Sequence, residues 1–474
     1  MGKYISSAVV FIVAAMTVSS CLGNGTEVEY YEDAAITSFS LDAVNRYVYT
    51  KAKDGSDSIY KTAVNISGYT FSIDQEKALI WNSDSLPLHT EPKAVLVTIG
   101  AKNGGSVGIK SMTSDSLTAY KSTDSINFSK PREFYVYNVQ GTGYRKYTVT
   151  LNVHQEAGDS CVWTKVASGN SQLAALTDIK AIAKDNSIYV FGNANGTAKT
   201  YVTATTDGAV WTELTSSHPL SATASSNTLL RNGVFYCLTD GTLLSSPDAY
   251  NWQVVAETTL RRLIAATTMR LYAIDGDGTL VSSTDNGVTW TAETLDTDAA
   301  YFPTEGFSYA CHTLRTDANA EKVVLIGNRS LDSYPEDKFS MVWTKIDENK
   351  AGSRTHSWVF NNPDPAAKYN APRANNWQIV NYDATNIKAL CGSGIGKSSV
   401  KALDNVFHSG DDGITWLKDS IMYVPEALQG ATAPFATTVD NNNSVWVVCG
   451  GTGNVWKTRI NRLVWKKEDA WKKE

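Results

Sequence analysis

Ser283-Thr-Asp285-Asn-Gly287-Val-Thr-Trp290 and Ser409-Gly-Asp411-Asp-Gly413-Ile-Thr-Trp416 are two copies of one pattern, S-x-D-x-G-x-T-W, and they decide the fold. Each position answers a need of a tight turn between strands. Ser and Asp side chains accept hydrogen bonds from nearby backbone N–H groups. Gly takes the positive φ that other residues avoid. Trp then opens the next strand and packs a large apolar face into a stack of sheets. Thr205-Thr-Asp207-Gly208-Ala-Val-Trp211 and Ser246-Pro-Asp248-Ala-Tyr-Asn-Trp252 are degenerate copies. Ahead of Trp290 lie three strand-like runs, Leu260–Ala266, Arg270–Ile274 and Leu280–Ser283. The repeating unit is therefore a four-stranded meander, the unit of a β-propeller.

The pattern resembles the Asp-box of sialidase-like β-propellers. That resemblance assigns Ser283, Asp285, Gly287, Trp290, Ser409, Asp411, Gly413 and Trp416 to folding turns rather than to catalysis or calcium binding. Trp211, Trp252, Trp290, Trp343, Trp416 and Trp465 are expected to open fourth strands, at spacings near the ~40–50 residues of propeller blades plus insertions. They count six blades over residues 160–466. Trp163 marks a further outer strand with no strands of its own before it, placed to close the ring against the last blade. A seven-bladed ring is the alternative.

Working outward, residues 34–155 read as short alternating strands, with Tyr147-Thr-Val-Thr-Leu-Asn-Val153 the clearest case of every second residue apolar. Gly104-Gly105 and Gly141-Thr-Gly143 separate runs as turns, and a β-sandwich of immunoglobulin type is expected. The fold class is thus all-β: an Ig-like sandwich followed by a propeller. Residues 1–20 carry Lys3 and a short apolar run from Ala8 to Val18, too short to span a ~30 Å bilayer, as in a secretory signal. Val18-Ser-Ser-Cys21 resembles the bacterial lipobox, which implies acylation at Cys21 and a tether over residues 21–33. Residues 467–474 form a polar tail. The sandwich also resembles the spacers behind the lipid anchor of Bacteroidetes surface lipoproteins. Lipobox, spacer and Asp-box propeller together resemble an envelope lipoprotein family of that phylum. The resemblance implies a lipid-anchored protein of the bacterial outer membrane, facing the periplasm or the cell surface, and a monomer is expected.

Composition narrows the function. The 42 Lys and Arg against 48 Asp and Glu give a net charge of −6, without the basic stripe of a phosphate binder, so nucleic acid is not an expected partner. Cysteines 161, 237, 311, 391 and 449 are odd in number and widely spaced, which supports neither a disulfide framework nor a zinc site. No metal or cofactor is expected. Gly392-Ser-Gly-Ile-Gly-Lys-Ser398 lacks the first glycine of a phosphate loop and reads as an inter-strand loop. The Arg-Ile-Pro motif of catalytic sialidases is absent from the sequence, and residues 179–211 hold no arginine that could begin a carboxylate clamp.

The loops joining fourth to first strands open on the face opposite the Asp-boxes, and ligand contacts are expected there. The widest interval between the assigned tryptophans holds an insertion, Asp347–Asn376, with Arg354, Trp358, Phe360, Tyr369 and Arg373. Loops Glu293–Gly306 and Leu417–Phe435 add Tyr301, Glu305 and Tyr423. These eight residues are the binding candidates, with Trp358 and Arg373 first. The expected function is binding, without catalysis, of glycans or a partner surface protein. The rival is a glycoside hydrolase or lyase, which would bring two carboxylates from different blades ~5–10 Å apart in the central funnel.

Overall fold

The computed structural model describes residues 33–52, 55–156, 158, 160–348, 356–383 and 386–461. The signal, Cys21, Arg354, Trp465 and the tail fall outside the described residues. The chain divides into two compact units, Met1–Gly158 and Asp159–Glu474. No helix among the described residues is long and apolar enough to cross a membrane.

In the first unit the alternation of Tyr144–Thr150 is used as expected. Tyr147 and Val149 turn inward, fully buried, beside Phe134 and Val136 of the antiparallel neighbour Arg132–Tyr137. On its other side this strand pairs in parallel with Leu79–Asn82, within a six-stranded sheet. Ile36–Ala43, paired antiparallel with Leu96–Ala101, supplies Ile36, Phe39 and Leu41 to the same core. Phe39 meets Phe134 edge-on at 6.1 Å.

The second unit is a propeller-like array of six four-stranded antiparallel sheets among the described residues. Their inner strands are Asp178–Lys184, Thr228–Arg231, Arg262–Ala266, Glu305–Thr313, Gln378–Asp383 and Phe435–Val439, and each touches the next in cyclic order. The core follows that order. Each pair of neighbouring sheets clasps its own apolar slab, such as Leu229, Tyr236 and Leu243 of sheet two against Leu263, Leu271 and Val281 of sheet three. Ile182 and Phe191 likewise meet Phe235 and Cys237, and Trp446 and Val448 of sheet six meet Ile179 and Val190 of sheet one. The outer strand of sheet six is Thr164–Ala167, drawn from the start of the unit and paired with Val455–Thr458. Cys161 Sγ and Thr458 Oγ1, 297 residues apart, come within 3.0 Å beside it.

The S-x-D-x-G-x-T-W turns join third to fourth strands. Ser283 Oγ donates to Asp285 Oδ1 (2.8 Å) and accepts from Gly287 N (2.8 Å), while the Thr289 amide and hydroxyl donate to the two carboxylate oxygens at 2.9 and 2.6 Å. The Thr289 hydroxyl and amide and the Ser283 hydroxyl hold the Asp285 carboxyl down at about 2. Trp290 Nε1 closes the turn on Gly287 O at 3.0 Å, and Ser409–Trp416 repeats these contacts. Gly287 has φ +95°, and a Cβ there would lie 2.2 Å from Leu243 Cδ2 of the preceding sheet. Gly413 has φ +86° and presses Val324 of sheet four in the same way. Glycine is needed twice over: for the turn, and because one sheet rests on its neighbour there.

The assignment of Trp343 is corrected, while Trp163 lies beside the outer strand that closes the ring, as expected. Trp343 lies in the third strand of sheet four, Met341–Glu348, and it is Trp358 that precedes the fourth strand, Val359–Phe360. Trp163, directly before Thr164–Ala167, holds the equivalent place in sheet six. The segment Asp347–Asn376 is therefore no single loop. It starts inside a third strand, contains a fourth strand, and only then crosses to sheet five. The five cysteines are free, four of them buried, in keeping with small packing residues.

Charged groups are buried between sheets three and four. Lys345 donates to Glu293 and to His356 O (2.7 Å), and Arg270 Nε lies 2.9 Å from Asp347 Oδ1, a contact of charge rather than an aligned hydrogen bond. Lys345, Glu293 and Asp347 are 2%, 3% and 1% exposed.

Candidate functional site

The six inner strands surround a channel of about 810 Å³. That size suits a small ligand, for which pockets run ~300–1,000 Å³. The strands enter it from the face opposite the S-x-D-x-G-x-T-W turns, because those turns join third to fourth strands and the crossings to the next sheet occur at the other end.

Lys180 of sheet one and Arg262 of sheet three both line the channel. Neither has an ion-pair or hydrogen-bond partner among the described residues, and the Arg262 Nε is buried without one. The Arg262 guanidinium lies 5.2 Å from the ring centre of Phe307, within cation–π range. Lys180 is partly open to the channel yet deep in the protein. Burial first, and then the charge of Arg262, bring its ammonium down to about 8. Burial lowers Arg262 as well. On the other side, Asn381 Oδ1 and Thr437 Oγ1 are buried without partners. Lys180, Asn381 and Thr437 each lie two or three residues below the start of an inner strand, so they occupy one level. Gln378 Nε2 donates to Asn376 Oδ1 at 2.8 Å, adding an amide pair at the rim.

Two carboxylates line the channel, Asp178 and Glu321. Asp178 begins its inner strand and accepts from Ser225 Oγ at 2.5 Å. Glu321 pairs with Thr313, the last residue of its own inner strand, and accepts from the Thr268 amide and hydroxyl at 2.8 and 2.7 Å. At ~3.3 Å per residue the two stand on the order of 20 Å apart. A hydrolytic pair needs ~5–10 Å.

The candidates read from sequence lie elsewhere. Trp358 is fully buried, edge-on to Tyr272 at 5.2 Å. Arg373 is fully buried too, donating to Tyr334 O (2.6 Å) and Arg329 O (2.8 Å). Both first choices are packing residues, because the supposed insertion is itself part of sheet four and its crossing. Tyr301 is exposed, stacked on Phe360 at 5.2 Å beneath Arg329. Glu305, Tyr369 and Tyr423 are also exposed, and the backbone carbonyls of the two tyrosines accept from Trp416 N and Trp163 Nε1. None of these seven lines the channel. Sequence reasoning missed Lys180 and Arg262. The signal available was a cation set in the apolar first strand of a repeat, Asp178-Ile-Lys180-Ala-Ile-Ala183 and Arg262-Leu-Ile-Ala-Ala266.

Residues 157–468 match the family described as the DUF6242 beta propeller domain, and residues 39–151 match the DUF6242 N-terminal domain. No curated protein matches the chain. Similar solved structures include YCF48 from Cyanidioschyzon merolae, 14% identical over 63% of this chain and 98% of that one, TM-score 0.33. A Trichoderma reesei carbohydrate-active enzyme of family AA12 is 9% identical over 65% and 97%, TM-score 0.38. An auxiliary nutrient binding protein from Bacteroides thetaiotaomicron is 9% identical over 76% and 93%, TM-score 0.39.

Proposed function

The chain belongs to the DUF6242 family, and we propose that it is an envelope lipoprotein whose six-bladed Asp-box propeller binds glycans in its central channel without cleaving them. Cys21 carries the lipid, and an Ig-like spacer holds the propeller off the outer membrane. The observation that carries the binding reading is the channel wall. Amides, hydroxyls and two cations without ion-pair partners among the described residues line it, while the two lining carboxylates sit at opposite ends, too far apart to act on one glycosidic bond. Polar groups left without partners in a recess are what a polyhydroxylated ligand satisfies.

A glycan array probed with the protein from residue 22 onward tests this. Binding that is lost in Thr437→Val and Asn381→Leu supports the channel as the site. Release of new reducing ends from any bound glycan would replace the reading with a hydrolase.

A further inference from the structure

Lys180 and Arg262 differ from the buried cations Lys345, Lys388 and Arg373. Lys345 is matched by Glu293, Lys388 by Asp419, and Arg373 by backbone carbonyls. Each of those is a settled structural contact. Lys180 and Arg262 instead both line the channel, where the charge of Arg262 lowers the Lys180 ammonium, and neither has an ion-pair partner among the described residues. Asp178 attracts both, but it sits at the rim, exposed and already bonded to Ser225. Two cations against one carboxylate leave room for one further negative charge. The fold keeps this arrangement although burial and mutual repulsion both oppose it, which is the mark of a prepared site.

The rest of the channel wall gives the ligand its shape. The Arg262 guanidinium, 5.2 Å from the Phe307 ring centre, is a planar fork whose paired N–H groups suit the two oxygens of a carboxylate. On sheets five and six, Asn381 Oδ1 and Thr437 Oγ1 lie buried in the channel wall without partners, within reach of a ligand after a small side-chain rotation. The channel volume of about 810 Å³ admits one or a few sugar rings and excludes a folded protein segment.

We propose that the channel binds a small carboxylate-bearing, polyhydroxylated molecule, the chemistry of a hexuronic acid, with its carboxylate between Lys180 and Arg262 and its hydroxyls toward Asn381 and Thr437. This rests on the glycan-binding reading above and names the ligand class. Lys180 and Arg262 set specificity by charge, and the amide and hydroxyl groups set it by hydrogen bonding.

Calorimetric titration of the protein from residue 22 onward tests the assignment with four probes: D-glucuronate, D-galacturonate, D-glucose and inorganic phosphate. At least one uronate is expected to bind at least about ten-fold more tightly than glucose and than phosphate. Lys180→Met and Arg262→Met are each expected to weaken uronate binding about ten-fold or more while leaving the circular dichroism and melting of the propeller intact, since each removes a repelled charge. Lys180→Arg should retain binding. Affinity should fall as pH rises through about 8, where Lys180 loses its charge under the influence of Arg262, Asp178 and Cys237. Three results overturn the proposal: uronates binding no better than glucose, binding unchanged in Lys180→Met, or phosphate matching the uronates, which would leave a bare anion site. Glucose binding that Thr437→Val removes, with no preference for uronates, would sink the acidic-ligand assignment and keep the neutral glycan reading.

Discussion

Replacing Lys345 by Met should be among the most damaging single changes in the propeller, although it removes no apolar contact. Its ammonium sits between sheets three and four, 2% exposed, donating to Glu293 and to the His356 carbonyl. Without it, Glu293 keeps only Arg270 at 3.9 Å, and its carboxylate stays 3% exposed in the interior. Breaking a buried pair by removing one partner costs ~3–5 kcal/mol, because the other charge is left unmatched. For a unit of this size each kcal/mol lowers the melting temperature by ~2–4 °C, so a fall on the order of 6–20 °C is expected. Tryptophan fluorescence reports it cleanly, since of 13 tryptophans only Trp81 lies in the N-terminal unit. The double variant Lys345→Met/Glu293→Gln removes both charges and should recover more than half the loss. A single variant that melts within ~1 °C of wild type, or a double variant that melts below the single one, would refute the idea that the pair is held by charge balance.

Other expectations are simpler to check. Gly287→Ala places a methyl group against Leu243 in a backbone held at φ +95°, and should destabilise by ~1–3 kcal/mol in urea melts, while Gly68→Ala, with open space around it, should not. The Asp285 carboxyl titrates at about 2 in the folded turn against 3.8 unperturbed, so its contribution is complete above 3.8 and is lost as pH falls through 2. Asp285→Asn should therefore lower stability at pH 7 and flatten the acid limb between those values, and acid limbs that coincide for the two proteins would contradict the turn geometry. Cys21→Ser should abolish incorporation of labelled palmitate and release the protein from membranes, and label persisting in that variant would exclude Cys21 as the anchor.

The turns were legible in the sequence because their chemistry is local. Ser283, Asp285, Gly287 and Trp290 satisfy one another within eight residues, so spacing alone predicted contacts that the structure shows. Sheet four was misread for the opposite reason. Its sequence carries no copy of the S-x-D-x-G-x-T-W pattern, and Met341-Val-Trp343-Thr344 imitates the Trp-Thr entry of a fourth strand, as at Trp290-Thr291. The true counterpart, Trp358, is recognisable only by what it packs against. Arg373 and Trp358 have the residue types of binding sites, but type does not reveal burial. The channel was the least legible part. Lys180, Arg262, Asn381 and Thr437 come from four inner strands scattered over more than half the chain, and only ring closure brings them to one channel.

The strand Thr164–Ala167 carries a consequence for biogenesis. Among the described residues it is the first strand of its unit to be made, yet the strand it pairs with, Val455–Thr458, is the last. At ~5–20 residues per second, synthesis of the intervening stretch of nearly 300 residues takes about 15–60 s. Throughout that interval the early strand has an unpaired edge, and so does each newly formed sheet that awaits a neighbour. Such edges invite pairing with other chains. The nascent protein is thus most vulnerable to aggregation at intermediate length, and a helper that shields the segment around Cys161–Ala167 would be needed only until the final sheet emerges.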